Sequence, residues 1–520
     1  LHLRSVTLTA KDKICLCETR ECTPEACPYA NGYYARIKGA LWDVLDVPCL
    51  TAETLQEYAK RHTVCPFELG LDSSLWSDVI IGDYNYLFDP VVHLVRFFES
   101  AGDYIFLVDE AHNLPGRARE MHSAALTKTS FYEAKKLLGK GKSSLKNALT
   151  KVNDVFIEWR HRAEEETAAR DGRFGKTFFL KERSEEFDHL LNRLCEPLEA
   201  WLDAHREPDE THTALLQLYF DVRAWLRVAD TFDDHFVLQI TASGSEVRAA
   251  QLCLDPSAFL ADSFALGRAA VLFSATLAPA SYYKDLCGVP EARAVALRSP
   301  FPAGNQGLFC IGNVSTRYKD RDASLAIVAE SLATMVRAHC GNYLAFFPSY
   351  AYMEQAYAQF KERCPEINCI KQENAMDEQQ KAAFLAQFVP GPSQTLLGFA
   401  VMGGVFGEGV DLTGARLIGV GIVGPGLPQV GPRQEQLRDY FEQTRGSGFD
   451  YAYRYPGMNK VLQAAGRVIR TPRDKGVVLL IDNRFAMPDY RRLMPPHWSH
   501  LKIIYDTEEL ERELWRFWEE

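Results

Sequence analysis

The stretch Tyr104-Ile-Phe-Leu-Val-Asp109-Glu110-Ala-His112 decides the fold of this chain. A short apolar run that ends abruptly in acidic residues is typical of a parallel strand buried on both faces. Two carboxylates at the carboxyl end of such a strand are placed to hold the magnesium of a bound nucleotide and to activate water. A solvated turn or a helix N-cap also explains adjacent acids, so the stretch alone leaves both interpretations open.

Other apolar runs along the chain predict further strands of the same kind. Each is bounded by polar or turn residues, and they lie at 270–273, 343–347, 417–423 and 477–481. Apolar strands that alternate with helical stretches indicate an α/β protein with parallel sheets. The C-terminal segment carries Leu510, Leu514, Phe517 and Trp518 at helical spacing, which predicts an amphipathic helix packed on the body.

One long segment breaks this alternation. Between about residues 117 and 227 no comparable run occurs, and the composition is rich in Ala, Leu, Glu, Lys and Arg at helical spacing. We therefore predict an all-helical insertion. A turn-rich piece, Ala242-Ser-Gly-Ser245, then separates two apolar segments and predicts a hairpin that leads back into the α/β layer.

The overall composition limits the classes of function. The 520 residues are enough for about three or four domains, and 47% hydrophobic with 24% charged residues is ordinary for a globular protein. No apolar run reaches the roughly eighteen residues of a membrane span, so we expect no membrane partner. The net charge of −11 argues against a protein that coats DNA by bulk charge. A lysine-rich track at 128–151 nevertheless predicts either a local phosphate-binding surface or a solvated helix face.

The cysteines are concentrated at the start of the chain. Six of the 13 lie in the first 65 residues, at positions 15, 17, 22, 27, 49 and 65. The sequence opens without a signal peptide, which predicts a cytoplasmic protein, and clustered thiols in that compartment more often hold a metal than form disulfides. Spacing alone leaves both an iron–sulfur cluster and tetrahedral zinc open.

Three other segments carry candidate chemistry. Ser274-Ala-Thr276-Leu follows a predicted strand, where hydroxyl groups either sense a phosphate or cap a helix. Gly403–Asp411 is a glycine-dense loop that contains Glu408, Gly409 and Asp411 and permits close backbone approach to a ligand. Gln463–Arg470 contains Arg467 and Arg470, which on a helix project from one face and either bind phosphate or form a surface pair.

Taken in order, these segments resemble the helicase motifs of the XPD/DinG family of superfamily-two DNA helicases. The segment from Asp109 to His112 resembles motif II, Ser274–Thr276 motif III, Gly403–Asp411 motif V and Gln463–Arg470 motif VI. Gly341–Ser349 is similar to the motif IV region. The resemblance covers nearly the whole chain, and motifs in the correct order are far more specific than any one of them.

The resemblance implies an architecture. It predicts an α/β fold with two RecA-like parallel-sheet motor domains, with an iron–sulfur module and a helical arch inserted in the first. We assign 1–75 to the module, 76–116 with 231–297 to motor domain 1, 117–230 to the arch, and 298–520 to motor domain 2. By resemblance a [4Fe–4S] cluster is held by Cys15, Cys22, Cys27 and Cys65. Cys17 is the rival for the first ligand, because residues 15 and 17 of an extended segment point to the same side.

The resemblance also implies roles for the remaining residues. Asp109 holds Mg²⁺ and Glu110 is the catalytic base, whereas His112, Ser274 and Thr276 couple hydrolysis to DNA binding. The residues expected to contact ATP from motor domain 2 are Glu408, Gly409, Asp411, Gln463, Arg467 and Arg470. The expected partners are single-stranded DNA, tracked 5′ to 3′, and DNA duplex junctions. We expect a monomer, and the sequence identifies no protein partner.

One motif of the family is not found in the sequence. A phosphate cradle needs Gly-x4-Gly-Lys-Ser/Thr, and the nearest imitation, Gly141-Lys142-Ser143, has Lys136 where the first glycine belongs. We therefore expect the cradle to precede these residues in a longer protein, and we do not expect these residues alone to hydrolyse ATP. Two alternatives remain at this point: an iron–sulfur nucleic-acid-binding protein without motor activity, and an RNA helicase.

Overall fold

The computed structural model of the chain describes residues 3–140, 143–169, 175–207, 209–404, 406 and 412–519. The chain divides into two compact units. The first is formed by Leu1–Tyr104 with Ala265–Arg268, and the second by Ile105–Phe264 with Ala269–Glu520. Every motif of the candidate active site lies in the second unit, whereas the clustered cysteines lie in the first.

The first unit packs helices on a small parallel sheet with the strand order β2-β1-β3. Its strands are β1 (Ser5–Thr7), β2 (Cys49–Leu50) and β3 (Val79–Ile81). Its helices are α1 (Lys11–Ile14), α2 (Tyr33–Val44), α3 (Ala52–His62), α4 (Pro66–Ser73), α5 (Asn85–Phe88) and α6 (Val95–Phe98). Val6, Ile37, Leu55 and Leu69 are among the residues of its core. The cysteine-rich loop lies between α1 and α2, and Cys65 immediately precedes α4.

The second unit begins with the strand that carries motif II. Its first strands are β4 (Ile105–Val108), β5 (Ala124–Thr127), β6 (Lys176–Leu180), β7 (Phe236–Ser243), β8 (Glu246–Cys253) and β9 (Ala269–Leu272). The accompanying helices are α7 (Leu114–Met121), α8 (Lys128–Leu137), α9 (Ser144–Ala169), α10 (Glu185–Ala204), α11 (Glu210–Asp230), α12 (Ser257–Ala265) and α13 (Ala280–Leu286). β4 pairs with β9 in parallel, as predicted.

The faces of β4 do not follow the prediction of burial on both sides. Phe106 and Val108 are buried, but Ile105 and Leu107 are 64% and 69% exposed. Alternate side chains of a strand point to opposite faces, so one face of β4 is packed and the other is open. Its partner β9, which the run at 270–273 predicted to be buried, has three exposed residues and none that is buried. Other described residues of the chain pack on only one face of β4. The apolar run therefore predicted more burial than the strand has.

The inserted segment is mainly helical, but it is not all-helical as predicted. β5 and β6 lie inside it and extend the predicted hairpin β7–β8 into an antiparallel sheet of order β5-β8-β7-β6. Local sequence did not reveal these strands because their hairpin partners lie far along the chain. The helices enclose an aromatic core in which the Phe187 ring lies 4.6 Å from that of Trp159 and 5.3 Å from that of Trp225.

The C-terminal part of the second unit is built on a parallel sheet of order β12-β13-β11-β14-β15-β10-β16. Its strands are β10 (Gln306–Ile311), β11 (Asn342–Phe347), β12 (Asn368–Lys371), β13 (Leu396–Val401), β14 (Gly419–Val423), β15 (Gly476–Ile481) and β16 (Lys502–Ile504). Its helices are α14 (Arg321–Arg337), α15 (Tyr350–Arg363), α16 (Glu378–Ala386), α17 (Pro432–Arg445), α18 (Tyr455–Ala465), α19 (Pro488–Arg491) and α20 (Thr507–Glu519).

This sheet is buried on both faces, as the continuous apolar runs predict. Along β11, Leu344 and Phe346 belong to one core, whereas Tyr343, Ala345 and Phe347 belong to the core on the opposite face. The predicted amphipathic helix at the C-terminus is α20, whose Leu510 and Leu514 are buried in the second of these cores. Across the described residues, none of the helices combines the length and the apolar character needed to cross a bilayer.

Candidate active site

The acidic pair of motif II follows β4 directly and stays exposed at the end of the strand. Glu110 has a left-handed backbone with φ of 45°, which costs a residue other than glycine roughly 1–2 kcal/mol. Its N–H donates to Asp109 Oδ1 at 2.7 Å, and the N–H of Ala111 donates to the Phe273 carbonyl at 3.2 Å. The turn is therefore fixed against β9, and both carboxylates are presented to solvent, as a metal–nucleotide site requires.

The third residue of this site, His112, is buried beneath the acids and contacts motif III. Its Nδ1 atom lies 2.7 Å from Ser274 Oγ and 3.1 Å from Glu110 Oε2. Ser274 Oγ donates to the same Glu110 oxygen at 3.1 Å. The buried Thr276 closes the group, because its N–H donates to Ser274 Oγ at 3.2 Å. Motifs II and III, whose contacting residues are 162 positions apart, therefore form one hydrogen-bonded network.

Motif VI joins this network from the opposite side. The side-chain amide nitrogen of Gln463, near the end of α18, forms a hydrogen bond with His112 Nε2. The two residues are 351 positions apart in the sequence. The structure thus brings together Glu110, His112, Ser274 and Gln463, all of which the sequence predicted as site residues.

The orientation of the Gln463 amide predicts where the His112 ring carries its proton. If the amide nitrogen that faces ring Nε2 donates to it, the ring is neutral and its proton is on Nδ1. Nδ1–H then donates to Ser274 Oγ, and the Ser274 hydroxyl donates to Glu110. Each member donates to the next in one direction, which places the candidate catalytic base at the accepting end of the network.

The two arginines of motif VI are not arranged as predicted. α18 ends at Ala465, and Arg467 and Arg470 lie in the irregular segment that follows, so they do not share a helical face. The helix ends there because Val468 and Ile469 turn into the core of the sheet. Arg467 is buried, whereas Arg470 is exposed.

The backbone of the Arg470 segment is fixed by a partly shielded carboxylate. The N–H groups of Arg470 and Thr471 donate to Asp474 Oδ2 at 2.8 and 2.7 Å, and the Thr471 hydroxyl donates to Oδ1 at 2.7 Å. Burial alone would raise the pKa of Asp474, but these hydrogen bonds and the Arg470 charge lower it. The predicted motif V contacts Glu408, Gly409 and Asp411 lie outside the described residues.

A tyrosine-rich contact that the sequence analysis missed positions α18. The Tyr451 hydroxyl donates to Asp285 Oδ2 at 2.5 Å, and the Tyr282 ring lies 5.1 Å from the rings of both Tyr451 and Tyr455. Tyr282 and Asp285 belong to α13, which follows motif III, and Tyr455 begins α18. A second contact therefore holds motif VI against the segment that follows motif III. Its only sequence signal is the unusual density of tyrosines at 451–455.

Sequence comparison identifies two domain families in the chain. The profile of the helicase C-terminal domain family matches residues 332–501, and the profile of the DEAD_2 family matches residues 3–131. The first covers most of the seven-stranded sheet, from β11 to β15. The second covers the cysteine-rich unit and motif II.

Several characterised helicases are similar to the chain over most of its length. The helicase subunit XPD of general transcription and DNA repair factor IIH from Schizosaccharomyces pombe is 23% identical over 86% of this chain and 67% of its own length. Regulator of telomere elongation helicase 1 from Rattus norvegicus is 23% identical over 95% of this chain, and ATP-dependent DNA helicase CHL1 from Coccidioides immitis is 21% identical over 87%. The chain spans 45% of the former and 60% of the latter.

Solved structures agree on the fold. An XPD helicase structure superposes with a TM-score of 0.60 at 18% identity over 96% of this chain and 86% of its own, and Xpd4 of S. tokodaii with 0.57 at 16% identity over 83% of each chain. The fold class, with RecA-like parallel sheets and insertions, is thereby confirmed. The chain belongs to the XPD/DinG-type superfamily-two helicases.

The hydrogen-bond network predicts the protonation state of one ring. In ¹⁵N NMR spectra of histidine-labelled protein, the His112 signal, identified by its loss in His112→Asn, is expected to show protonated Nδ1 and unprotonated Nε2. Gln463→Leu removes the donor to Nε2, so the ring is expected to lose this preference. An Nε2–H tautomer in the unsubstituted protein would show that the network runs the other way.

Proposed function

We propose that the intact protein is an ATP-dependent DNA helicase that moves 5′ to 3′ along single-stranded DNA and opens duplexes, with DNA repair as its setting. The observation that carries the proposal is the hydrogen-bonded network from Glu110 through Ser274 and His112 to Gln463. A motor must link its hydrolytic group to the domain that moves, and this network makes that link with side chains alone. The names of the similar helicases support DNA as the substrate.

The residues of motif II fit the chemistry of nucleotide hydrolysis. Asp109 would hold Mg²⁺, which neutralises phosphate charge when bound, and Glu110 would accept a proton from the attacking water. Both carboxylates are exposed and backed by a strained, hydrogen-bonded turn, so a ligand can reach them from solvent. Gln463, Arg467 and Arg470 would contact the phosphates from motor domain 2, together with Glu408, Gly409 and Asp411.

DNA contacts would also come from the helical arch. A groove between α9 and α10 is lined by Ser144, Asn147, Lys151, Leu190 and Arg193. Its two cations and two neutral donors are suited to backbone phosphates, which supports the lysine-rich track as a sequence-independent contact. Lys136 is partly engaged by Glu133 at 3.7 Å and Lys128 donates to the Ser245 carbonyl, so the track is not uniformly available.

The cysteine-rich loop is proposed to hold a [4Fe–4S] cluster through Cys15, Cys22, Cys27 and Cys65. Cys17 Sγ and Cys27 Sγ are 3.9 Å apart, and burial with the thiols of Cys27 and Cys15 raises the pKa of Cys17 to about 11. Burial alone would lower the pKa of Lys11, but the neighbouring Cys22, Glu68 and Cys65 side chains together raise it. Cys17 and Cys27 thus form one close sulfur pair, and the described residues include no group of three or more His, Cys, Asp or Glu side chains that could hold a metal ion.

The contacts leave the choice of first ligand between Cys15 and Cys17. The close sulfur pair is formed by Cys17, which supports the rival, whereas the family resemblance favours Cys15. A bound cluster would brace the loop between α1 and α2 against α4, and no redox change is needed for that role. A monomeric state and a cytoplasmic location stay predictions from the sequence.

Substitution of the candidate base tests the hydrolytic role. In the full-length protein, Glu110→Gln is expected to lower the rate of DNA-stimulated ATP hydrolysis about 10²- to 10⁴-fold, because the amide cannot accept the proton from water. Binding of single-stranded DNA is expected to be retained. Glu120→Gln, at an exposed acid ten positions along, is the matched control and should hydrolyse ATP normally. An unchanged rate in Glu110→Gln contradicts the assignment.

Unwinding assays with the same full-length protein distinguish DNA from RNA as the substrate. DNA duplexes with a 5′ single-stranded tail are expected to be unwound faster than RNA duplexes of the same sequence. Preferential opening of RNA would favour the RNA-helicase alternative, and DNA binding without ATP hydrolysis would favour a binding protein without motor activity.

The cysteine proposal is tested by metal content. Anaerobically purified protein is expected to absorb visible light and to contain about four iron and four sulfide per chain. Cys15→Ser, Cys22→Ser and Cys65→Ser should lose the colour, whereas Cys17→Ser and the exposed control Cys49→Ser should keep it. Loss in Cys17→Ser but not in Cys15→Ser would reverse the ligand choice, and zinc without iron would exclude the cluster.

A further inference from the structure

The loop Thr316–Arg321, after β10, presents an aromatic ring between two cations on the surface of the second unit. Tyr318 is 86% exposed, and the flanking Arg317 and Lys319 are also exposed. Within the described part of the chain, neither cation forms an ion pair. A large ring that is left in solvent buries little apolar area, so it contributes little to the hydrophobic core and is available for contact.

The ring is nevertheless held in place from one side. The Arg321 guanidinium lies 5.4 Å from the centre of the Tyr318 ring and 5.1 Å from that of Tyr352, so it is shared between two rings. Tyr352 is buried, and its hydroxyl lies 2.5 Å from Ser324 Oγ. Arg321 also donates to Ser349 Oγ at 3.4 Å. One face of Tyr318 therefore faces a fixed cation, and the other face is open.

The base of the loop is fixed as well. The N–H and hydroxyl of Thr316 donate to Asp482 Oδ2 at 3.0 and 2.6 Å, and Arg484 Nε donates to Asp482 Oδ1 at 2.8 Å. Asp482 is fully buried at the end of β15. The loop is thus anchored to the sheet, and ligand binding need not order it.

The charge that the loop shows to solvent is positive. Its single acid, Asp320, accepts a hydrogen bond from Ser315 Oγ at 2.6 Å and is only partly exposed. The loop also lies at a defined edge of the sheet. Thr316, Ser349 and Asp482 follow β10, β11 and β15, and parallel strands end at the same edge, where open α/β sheets bind ligands.

We propose that Tyr318 is a stacking platform for one base of single-stranded DNA, with Arg317 and Lys319 on the adjoining phosphates. The proposal rests on the proposed helicase function and adds a strand contact on motor domain 2. An open ring face backed by a cation accepts any base, and two flanking cations match the phosphates on either side of it. Two unpaired cations on either side of one flat ring match a nucleic-acid strand better than they match a protein surface.

The experiment measures binding of a fluorescent oligo-dT strand to the full-length protein without nucleotide. Tyr318→Ala is expected to weaken binding about tenfold, within the usual range for one base–aromatic stack. Tyr318→Phe should bind like the unsubstituted protein, because it keeps the ring. Phe220→Ala removes a ring that is 57% exposed on α11 and is the control, expected to leave binding unchanged.

Salt dependence tests the flanking cations separately. Arg317→Ala and Lys319→Ala should each reduce the slope of log affinity against log salt by about 1, while Tyr318→Ala should leave the slope unchanged. Normal binding by Tyr318→Ala, or equal losses in Tyr318→Ala and Tyr318→Phe, would overturn the platform. Failure of the unsubstituted protein to bind single-stranded DNA would instead overturn the helicase proposal itself, so the two failures are distinguishable.

Discussion

The hydrogen bond between His112 and Gln463 is the contact on which the rest of the site depends. It joins segments 351 residues apart, and it satisfies a nitrogen of a buried ring. A buried polar atom left without a partner costs about 1–3 kcal/mol, so separating motif VI from motif II carries an energetic penalty. The hydrogen bond between the Tyr451 hydroxyl and Asp285 also holds the segment that carries motif VI in place. Together the two contacts hold α18 against motif II and against the segment that follows motif III.

The site combines exposed and buried groups in a way that suits a motor. Asp109 and Glu110 are open to solvent, whereas His112 and Thr276 are buried directly behind them. The exposed pair can therefore meet a ligand while the buried pair responds to it. The sheet of motor domain 2, packed on both faces, is rigid by comparison, and its loops at the carboxyl edge carry both the motif IV serine and the Tyr318 ring. In the proposed motor, movement of α18 would be transmitted to the whole domain rather than absorbed within it.

Much of this could be predicted from sequence, because the decisive signals were local. Continuous apolar runs predicted β11, β14 and β15, and acids or hydroxyls directly after strands predicted the residues around Glu110. The failures have a common physical cause. β5 was missed because its pairing partner is distant, and Arg467 was placed on a helix because its spacing did not show that Val468 and Ile469 turn into the core. The Gln463 contact with His112 was likewise beyond any local pattern.

The most direct test is a double-mutant cycle of His112→Ala and Gln463→Ala on DNA-stimulated ATP hydrolysis by the full-length protein. If the two side chains act as one link, the double variant should be no slower than the slower single variant, with a coupling energy of about 0.5–3 kcal/mol. Independent, multiplicative losses in the two single variants would contradict the link between the acidic pair and motif VI.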